Sequence, residues 1–337
     1  MATHFGRIRE HQDIVRIKDS DRKFIYELEE DSRKPLTALA KKLHVSKDTA
    51  HYTLNKLLKS NVIEHLGPVV DLTRLGYQTF HVFFVVHDIE GKRENEFMDY
   101  LANHPNTKAL MEYSDRWGLE WTVIAKDILD FDKITSRTAT LFSDIIIEKS
   151  KLEVIKGFKS TTLASRKAYF EKESTLYVPD NYDRAILACL NNDGRMSSYE
   201  ISEKIGMSPN NVRYRLKNLV RSNVIRHFTT TVNLNSLGYH LYTIGVLIKS
   251  LDEKQEAKLR EYLFHQRFIT RAVKVLGYWD LLITIVSDTI RNYHKTIKDL
   301  ESEFSDIVIN YEALTAYREK TFKYVPEIAI ADVELNK

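Results

Sequence analysis

The chain has 337 residues, 43% apolar and 29% charged, which suffices for two or more small domains and does not fit a chain disordered throughout. Fifty Lys plus Arg against 47 Asp plus Glu leave a formal charge of +3, so any nucleic-acid surface must come from local clustering rather than global excess. The single cysteine, Cys189, excludes an internal disulfide and a Cys-rich zinc or iron–sulfur site.

No apolar run approaches the roughly 20 residues that cross a bilayer, and the opening MATHFGRIREHQ is too polar for a signal peptide, so a cytoplasmic protein with no membrane partner is expected. Residues 1–20 read as a basic arm whose Arg7, Arg9, Arg16 and Lys18 are available to phosphates. Residues 21–74 follow with three helical patterns. Asp21 is placed to cap a helix carrying Phe24, Ile25 and Leu28, Leu36 to Leu43 gives a second, and Ser46 or its neighbour Lys47 opens a third carrying Ala50, Leu54, Leu57 and Leu58. Two short extended segments, Val62 to Leu66 and Val69 to Asp71, complete a winged helix-turn-helix.

Residues 75–178 change period. A strand at Thr79 to Val86, a helix at Glu94 to Asn103, strands at 107–114 and 119–126, a helix over 128–138 and a strand from near Phe142 give the order βαββαβ. Then the plan repeats. Asp21 to Tyr77 aligns with Asp183 to Tyr239 at an offset of 162 without insertion, and the offset persists through Trp117 on Trp279 and Phe142–Ile147 on Phe304–Ile309. The second copy divides into a winged helix-turn-helix at 179–236, a βαββαβ domain at 237–325 and a tail at 326–337. The fold class is therefore α+β, with two repeated units. A sheet with helices on one face must bury the other against a partner layer, and a two-copy chain supplies that partner internally.

Function is sought on the third helices, which would enter a groove. In the second copy Ser208 as cap, Asn210, Asn211, Arg213, Tyr214, Arg215, Lys217 and Arg221, with Arg226 after the helix, combine cations and amides suited to phosphates and base edges. The first copy offers a weaker set, Lys47, His51, Tyr52 and Lys56, beside Asp48. His65 and His227 hold equivalent wing positions, and Cys189 reads as a small core residue among Ile186, Leu187 and Leu190. No catalytic motif, metal-ligand spacing or phosphate loop stands out, so no catalytic residue, metal or resident cofactor is expected, and the chain is expected not to be an enzyme.

Asp183-Arg184-x-Ile186-Leu187, Asp193-Gly194-Arg195, Ile205-Gly206-Met207-Ser208, Val212-x-x-Arg215-Leu216-x-x-Leu219 and Asn223-Val224-Ile225-Arg226 resemble the Lrp/AsnC family of transcription regulators. The resemblance runs through almost the whole of both units. It implies a tandem member, each unit a winged helix-turn-helix joined through a hinge strand to a ferredoxin-like (RAM-type) βαββαβ domain for effector binding and pairing. The expected partners are double-stranded DNA and further copies of the chain in a homo-oligomer. The expected ligand is an amino acid or related small metabolite, held at Gly277, Tyr278, Trp279 and Asp280, which match the family's Gly-aromatic-Asp loop. The first copy departs from the pattern at His44 and Thr53, and at Asp115 and Gly118 in the equivalent loop. Two alternatives remain: a metabolite-sensing adaptor without DNA binding, and an enzyme resembling the siroheme decarboxylases, for which His81, His87, Arg116, Arg271 and Lys274 are available to a tetrapyrrole.

Overall fold

The computed structural model describes residues 6–8, 14–87, 91–161 and 175–331. After a two-residue strand, β1 (Gly6–Arg7), the first unit runs α1 (Asp19–Glu30), α2 (Leu36–Leu43), α3 (Lys47–Lys59), β2 (Ile63–Val70), β3 (Gln78–Val86), α4 (Lys92–Asn103), β4 (Thr107–Tyr113), β5 (Leu119–Ala125), α5 (Ile128–Leu141) and β6 (Ile146–Ser160). The second repeats it as α6 (Asn181–Asn192), α7 (Ser198–Ile205), α8 (Pro209–Arg221), β7 (Ile225–Asn233), β8 (His240–Ile248), α9 (Glu253–His265), β9 (Ile269–Leu276), β10 (Leu281–Ser287), α10 (Ile290–Glu303) and β11 (Val308–Phe322). A short α11 (Glu327–Ile330) closes the described chain.

The helix starts follow local chemistry. Ser46 and Ser208 accept hydrogen bonds from the backbone N–H groups of Thr49 and Asn211, and Pro209 occupies the first turn of α8, where its missing N–H costs nothing. The first helix starts earlier than its sequence suggests. Asp21 is not the cap; it lies in the first turn of α1 and its carboxylate accepts from Lys18 N at 3.0 Å. Gly206, at φ 66°, makes the left-handed turn between α7 and α8, and His44 takes the same turn at φ 55°.

The two extended segments expected after each third helix are one unbroken strand, and their partner is the other unit. β2 and β7 pair antiparallel from Ile63 opposite Val232 to Val70 opposite Ile225, and β1 adds to the outer edge of β7. Neither hinge strand is left with a bare edge facing the other.

The two βαββαβ domains do more than stack. Each forms a four-stranded sheet, ordered β4-β5-β3-β6 and β9-β10-β8-β11, and the outer strands join, β6 to β9 and β11 to β4, closing an eight-stranded barrel. Strand alternation divides the side chains between two environments. Phe80, Val82, Phe84, Trp121 and Val123 pack under the helices of the first unit, as Ile244, Val246, Ile283 and Ile285 do in the second. The intervening residues face the interior, where Phe83, Met111, Trp117, Leu152, Val273, Trp279 and Leu314 form an apolar cluster drawn from both units.

The tail is anchored as far as it is described. Val325 and Ala329 join the core beneath α6, Tyr77 Oη donates to Ile328 O at 3.0 Å, and Arg184 Nη1 to Ala329 O at 3.1 Å.

Candidate nucleic-acid interface

α8 rests on Val212 and Leu219, both fully buried, which directs the opposite face outward. Asn210, Asn211, Arg213, Tyr214, Lys217 and Arg221 are all exposed, Tyr214 to 66%, and Arg213 Nη1 donates to Asn210 Oδ1. Ser208 serves as the cap. Arg215 does not share the open face. Its guanidinium lies 2.9 Å from Asp183 Oδ1 and 2.7 Å from Asp180 Oδ2, and it covers the Tyr182 ring, so it ties α8 to the start of α6. Arg226 is likewise engaged, donating through Nε and Nη2 to the buried Asp71 carboxylate of the first unit.

α3 is built alike on Ala50, Leu54 and Leu57. Lys47, His51 and Tyr52 are exposed, while Lys56 Nζ is 2.7 Å from the Asp21 carboxylate. Asp21 and Asp183 are equivalent positions, but the cations that hold them, Lys56 and Arg215, come from places about one turn apart on their helices. The two exposed faces therefore differ in charge, and α8 keeps three exposed cations, Arg213, Lys217 and Arg221. Of the arm residues, Arg16 and Lys18 are exposed, and Arg9 lies outside the described residues.

The expected effector loop lies between the units. Gly277 sits against the first unit so closely that a Cβ would lie 2.5 Å from Lys151 O and from Leu152 Cδ2. Trp279 is buried over Gly245, Asp280 Oδ2 accepts from Ile248 N at 2.9 Å, and Tyr278 remains 46% exposed beside Trp117.

Inside the barrel stands a polar cluster that the sequence does not announce. His81 Nδ1 donates to Glu120 Oε1 at 2.6 Å, Tyr113 Oη donates to Glu120 Oε2, and Tyr113 also bonds Thr243. Arg271 Nη2 donates to His81 Nε2 at 2.9 Å, which leaves the imidazole neutral with its proton on Nδ1. Burial lowers the His81 pKa, outweighing Glu120, and the Arg271 charge lowers it further. Burial alone would raise Glu120, but the hydrogen bonds from His81 and Tyr113 and the Arg271 charge bring it to about 2. Of the five residues available to a tetrapyrrole, only His81 and Arg271 meet here; Arg116 pairs with Glu148 and Lys274 with Glu256. The one available signal for this cluster is its asymmetry, since the equivalent residues are Thr243 for His81, Leu282 for Glu120, Val275 for Tyr113 and Ala109 for Arg271.

A winged helix-turn-helix DNA-binding family model matches residues 17–64 and 179–226. The HTH-type transcriptional regulator FL11 of Pyrococcus abyssi is 33% identical over 106 residues, 32% of this chain and 69% of that protein. The leucine-responsive regulatory protein of Rhizobium meliloti is 26% identical over 117 residues, 34% of this chain and 74% of its own. Among solved structures, siroheme decarboxylase NirDL superposes over 93% of this chain and 96% of its own with TM-score 0.64, at 14% sequence identity. That match corrects the expectation that the chain is not an enzyme. At this identity the likeness is one of fold, but the fold it shares over nearly its whole length is that of an enzyme, so the absence of a catalytic motif no longer excludes catalysis. No helix among the described residues is long and apolar enough to cross a membrane. With the DNA-binding model matching at both repeats and regulators aligning with a single unit, the chain belongs to the Lrp/AsnC family of transcription regulators, as a tandem member in which the whole unit occurs twice.

Proposed function

We propose that the chain is a cytoplasmic, sequence-specific regulator that binds double-stranded DNA chiefly through α8. The observation that carries this reading is the exposed face of Asn210, Asn211, Arg213, Tyr214, Lys217 and Arg221 on a helix capped and packed as a recognition helix. Lys47, His51 and Tyr52 of α3 contribute a second, weaker contact; Arg215 and Lys56 act by fixing each third helix within its own head and Arg226 by tying the second unit to Asp71 of the first, rather than by touching bases. A small amino-acid-like effector acts at the Gly277–Asp280 loop, where the two units meet and a bound molecule would bear on both. Chains associate further into homo-oligomers.

The test is a fluorescence titration against promoter fragments at several salt concentrations with competitor DNA. Saturable binding that survives competitor and falls steeply with salt supports the reading. Binding no tighter than to competitor sinks it.

A second reading, a tetrapyrrole enzyme, is favoured by the buried His81–Glu120–Tyr113–Arg271 cluster together with a fold shared with a decarboxylase whose solved complex holds an iron-uroporphyrin III analogue. Arg271 Nε has no hydrogen-bond partner among the described residues and is the donor available to a substrate carboxylate. An absorption titration with an iron uroporphyrin separates the two readings, because only the enzyme reading requires a shifted, saturating spectrum that Arg271→Ala removes.

A further inference from the structure

Two loops, Asp31–Lys34 between α1 and α2 and Asp193–Met196 between α6 and α7, lie against each other across the β2–β7 pair. Arg33 Nη1 donates to Gly194 O at 2.6 Å and its Nη2 to Met196 O at 3.0 Å. Arg195, the equivalent residue, reaches back, with Nη1 donating to Ser32 O and Nη2 to Lys34 O at 3.2 Å. The backbone repeats the exchange: Ser32 N donates to Phe228 O at 3.1 Å and Gly194 N to Leu66 O at 2.8 Å. Arg33 also covers the Phe228 ring at 5.0 Å. Contact at Gly194 is so close that a Cβ would lie 2.5 Å from Leu66 O. Each planar guanidinium thus spans two carbonyls of the opposite head, a fork geometry that a lysine cannot reproduce.

The clasped carbonyls lie immediately ahead of α2 and α7, the helices that pack on α3 and α8. Holding them holds both third helices. Those helices are unlike, with Arg215 and Lys56 committed inward from different turns, and with exposed Arg213, Lys217 and Arg221 on α8 against exposed Lys47 and Lys59 beside the exposed Asp48 on α3. We propose that Arg33 and Arg195 lock the two heads into one DNA-reading body, so that a single chain takes a non-palindromic duplex whose two unlike half-sites stand at one fixed separation. The duplex preference rests on the DNA-binding reading above; the lock does not.

Two measurements on the full chain test this. In a Cys189→Ala background, spin labels at Leu58→Cys and Val220→Cys occupy equivalent, partly exposed positions near the ends of α3 and α8, 37% and 40% exposed. The distance distribution between them should be single and narrow, and should broaden in Arg33→Ala with Arg195→Ala. The lysine pair at the same positions, which keeps the charge and loses the fork, should broaden it too and serves if the alanine pair does not fold. A distribution that stays narrow in both overturns the lock. For the second measurement, duplexes are selected from a random library with the unlabelled native chain, and five base pairs, about half a helical turn, are inserted between the selected half-sites. Affinity should fall about 100-fold in the native chain and about tenfold or less in the variants. Selection of a palindrome, or tolerance of the insertion by the native chain, overturns the site preference. Failure of the DNA reading shows separately, as no duplex enriched at all, and removes the site preference while the label distances still decide the lock.

Discussion

Glu120 is the one carboxylate in the His81 cluster of the barrel interior, and its replacement tests what closes the barrel. It is 4% exposed, accepts from His81 and Tyr113, and is the counter-charge to the buried Arg271 guanidinium of the second unit. Glu120→Leu, the residue standing at the equivalent Leu282, strips His81 and Tyr113 of their acceptor and leaves the guanidinium, which reaches Glu120 through His81, buried without its counter-charge; removing the charged partner of a buried network in this way costs about 3 kcal/mol. Combining it with Arg271→Ala, the residue of the equivalent Ala109, removes the orphaned charge and should recover about 2 kcal/mol or more relative to additivity. Denaturant unfolding read by tryptophan fluorescence reports the right region, because Trp117, Trp121 and Trp279 are all buried in the barrel domains. The pH dependence has a fixed sign. The folded carboxyl titrates at about 2 and the unfolded one near 4.5, so the contribution of Glu120 is fully present above pH 4.5 and is lost as pH falls toward 2. A loss below about 1 kcal/mol in the single variant, or strict additivity in the double, would refute the reading that Glu120 and Arg271 act as one network through His81.

Lys108 and Lys159 titrate at about 7 and about 8, lowered by burial, with Arg271 and Arg226 adding to the effect at Lys108. Between those values and 10.5 the unfolded state binds more protons, so stability should rise with pH across this window, and Lys108→Met should flatten the rise in a urea titration at stepped pH. Gly245→Ala would place a Cβ 2.3 Å from Trp279 Cδ2 and should cost about 1–3 kcal/mol in thermal unfolding; an unchanged Tm would mean that the indole moves freely. Arg213→Ala with Lys217→Ala should weaken DNA binding and flatten its salt dependence by about 2 in slope while leaving the melting curve in place. Arg215→Ala should act differently, lowering the stability of the second head because it takes the cation from the buried Asp183 carboxylate, which keeps the Tyr177 hydroxyl; if it melts like the native chain and loses only DNA affinity, the inward assignment is wrong.

The repeat, both helix-turn-helix heads and the βαββαβ order were legible in the sequence because each rests on local pattern: caps at Ser46 and Ser208, the turn at Gly206, apolar residues at helical spacing, alternation along the strands. His81 and Arg271 could be noticed singly, but not as neighbours, since they lie 190 residues apart and meet only when β6 joins β9. The same limit hid Glu120 and Tyr113, the exchange between Arg33 and Arg195, and the tie of Arg226 to Asp71. It also made Arg215 look like a reading residue. A helix shows from its sequence which side chains share a face, but whether a cation on that face meets DNA or an aspartate depends on what packs beside it. The chain's sequence thus determined its elements and their duplication. The closed barrel and the paired hinge strands were decided by contacts between units some 160 residues apart, and the inward commitment of Arg215 and Lys56 by aspartates on the first helix region of their own units; no local periodicity encodes either pairing.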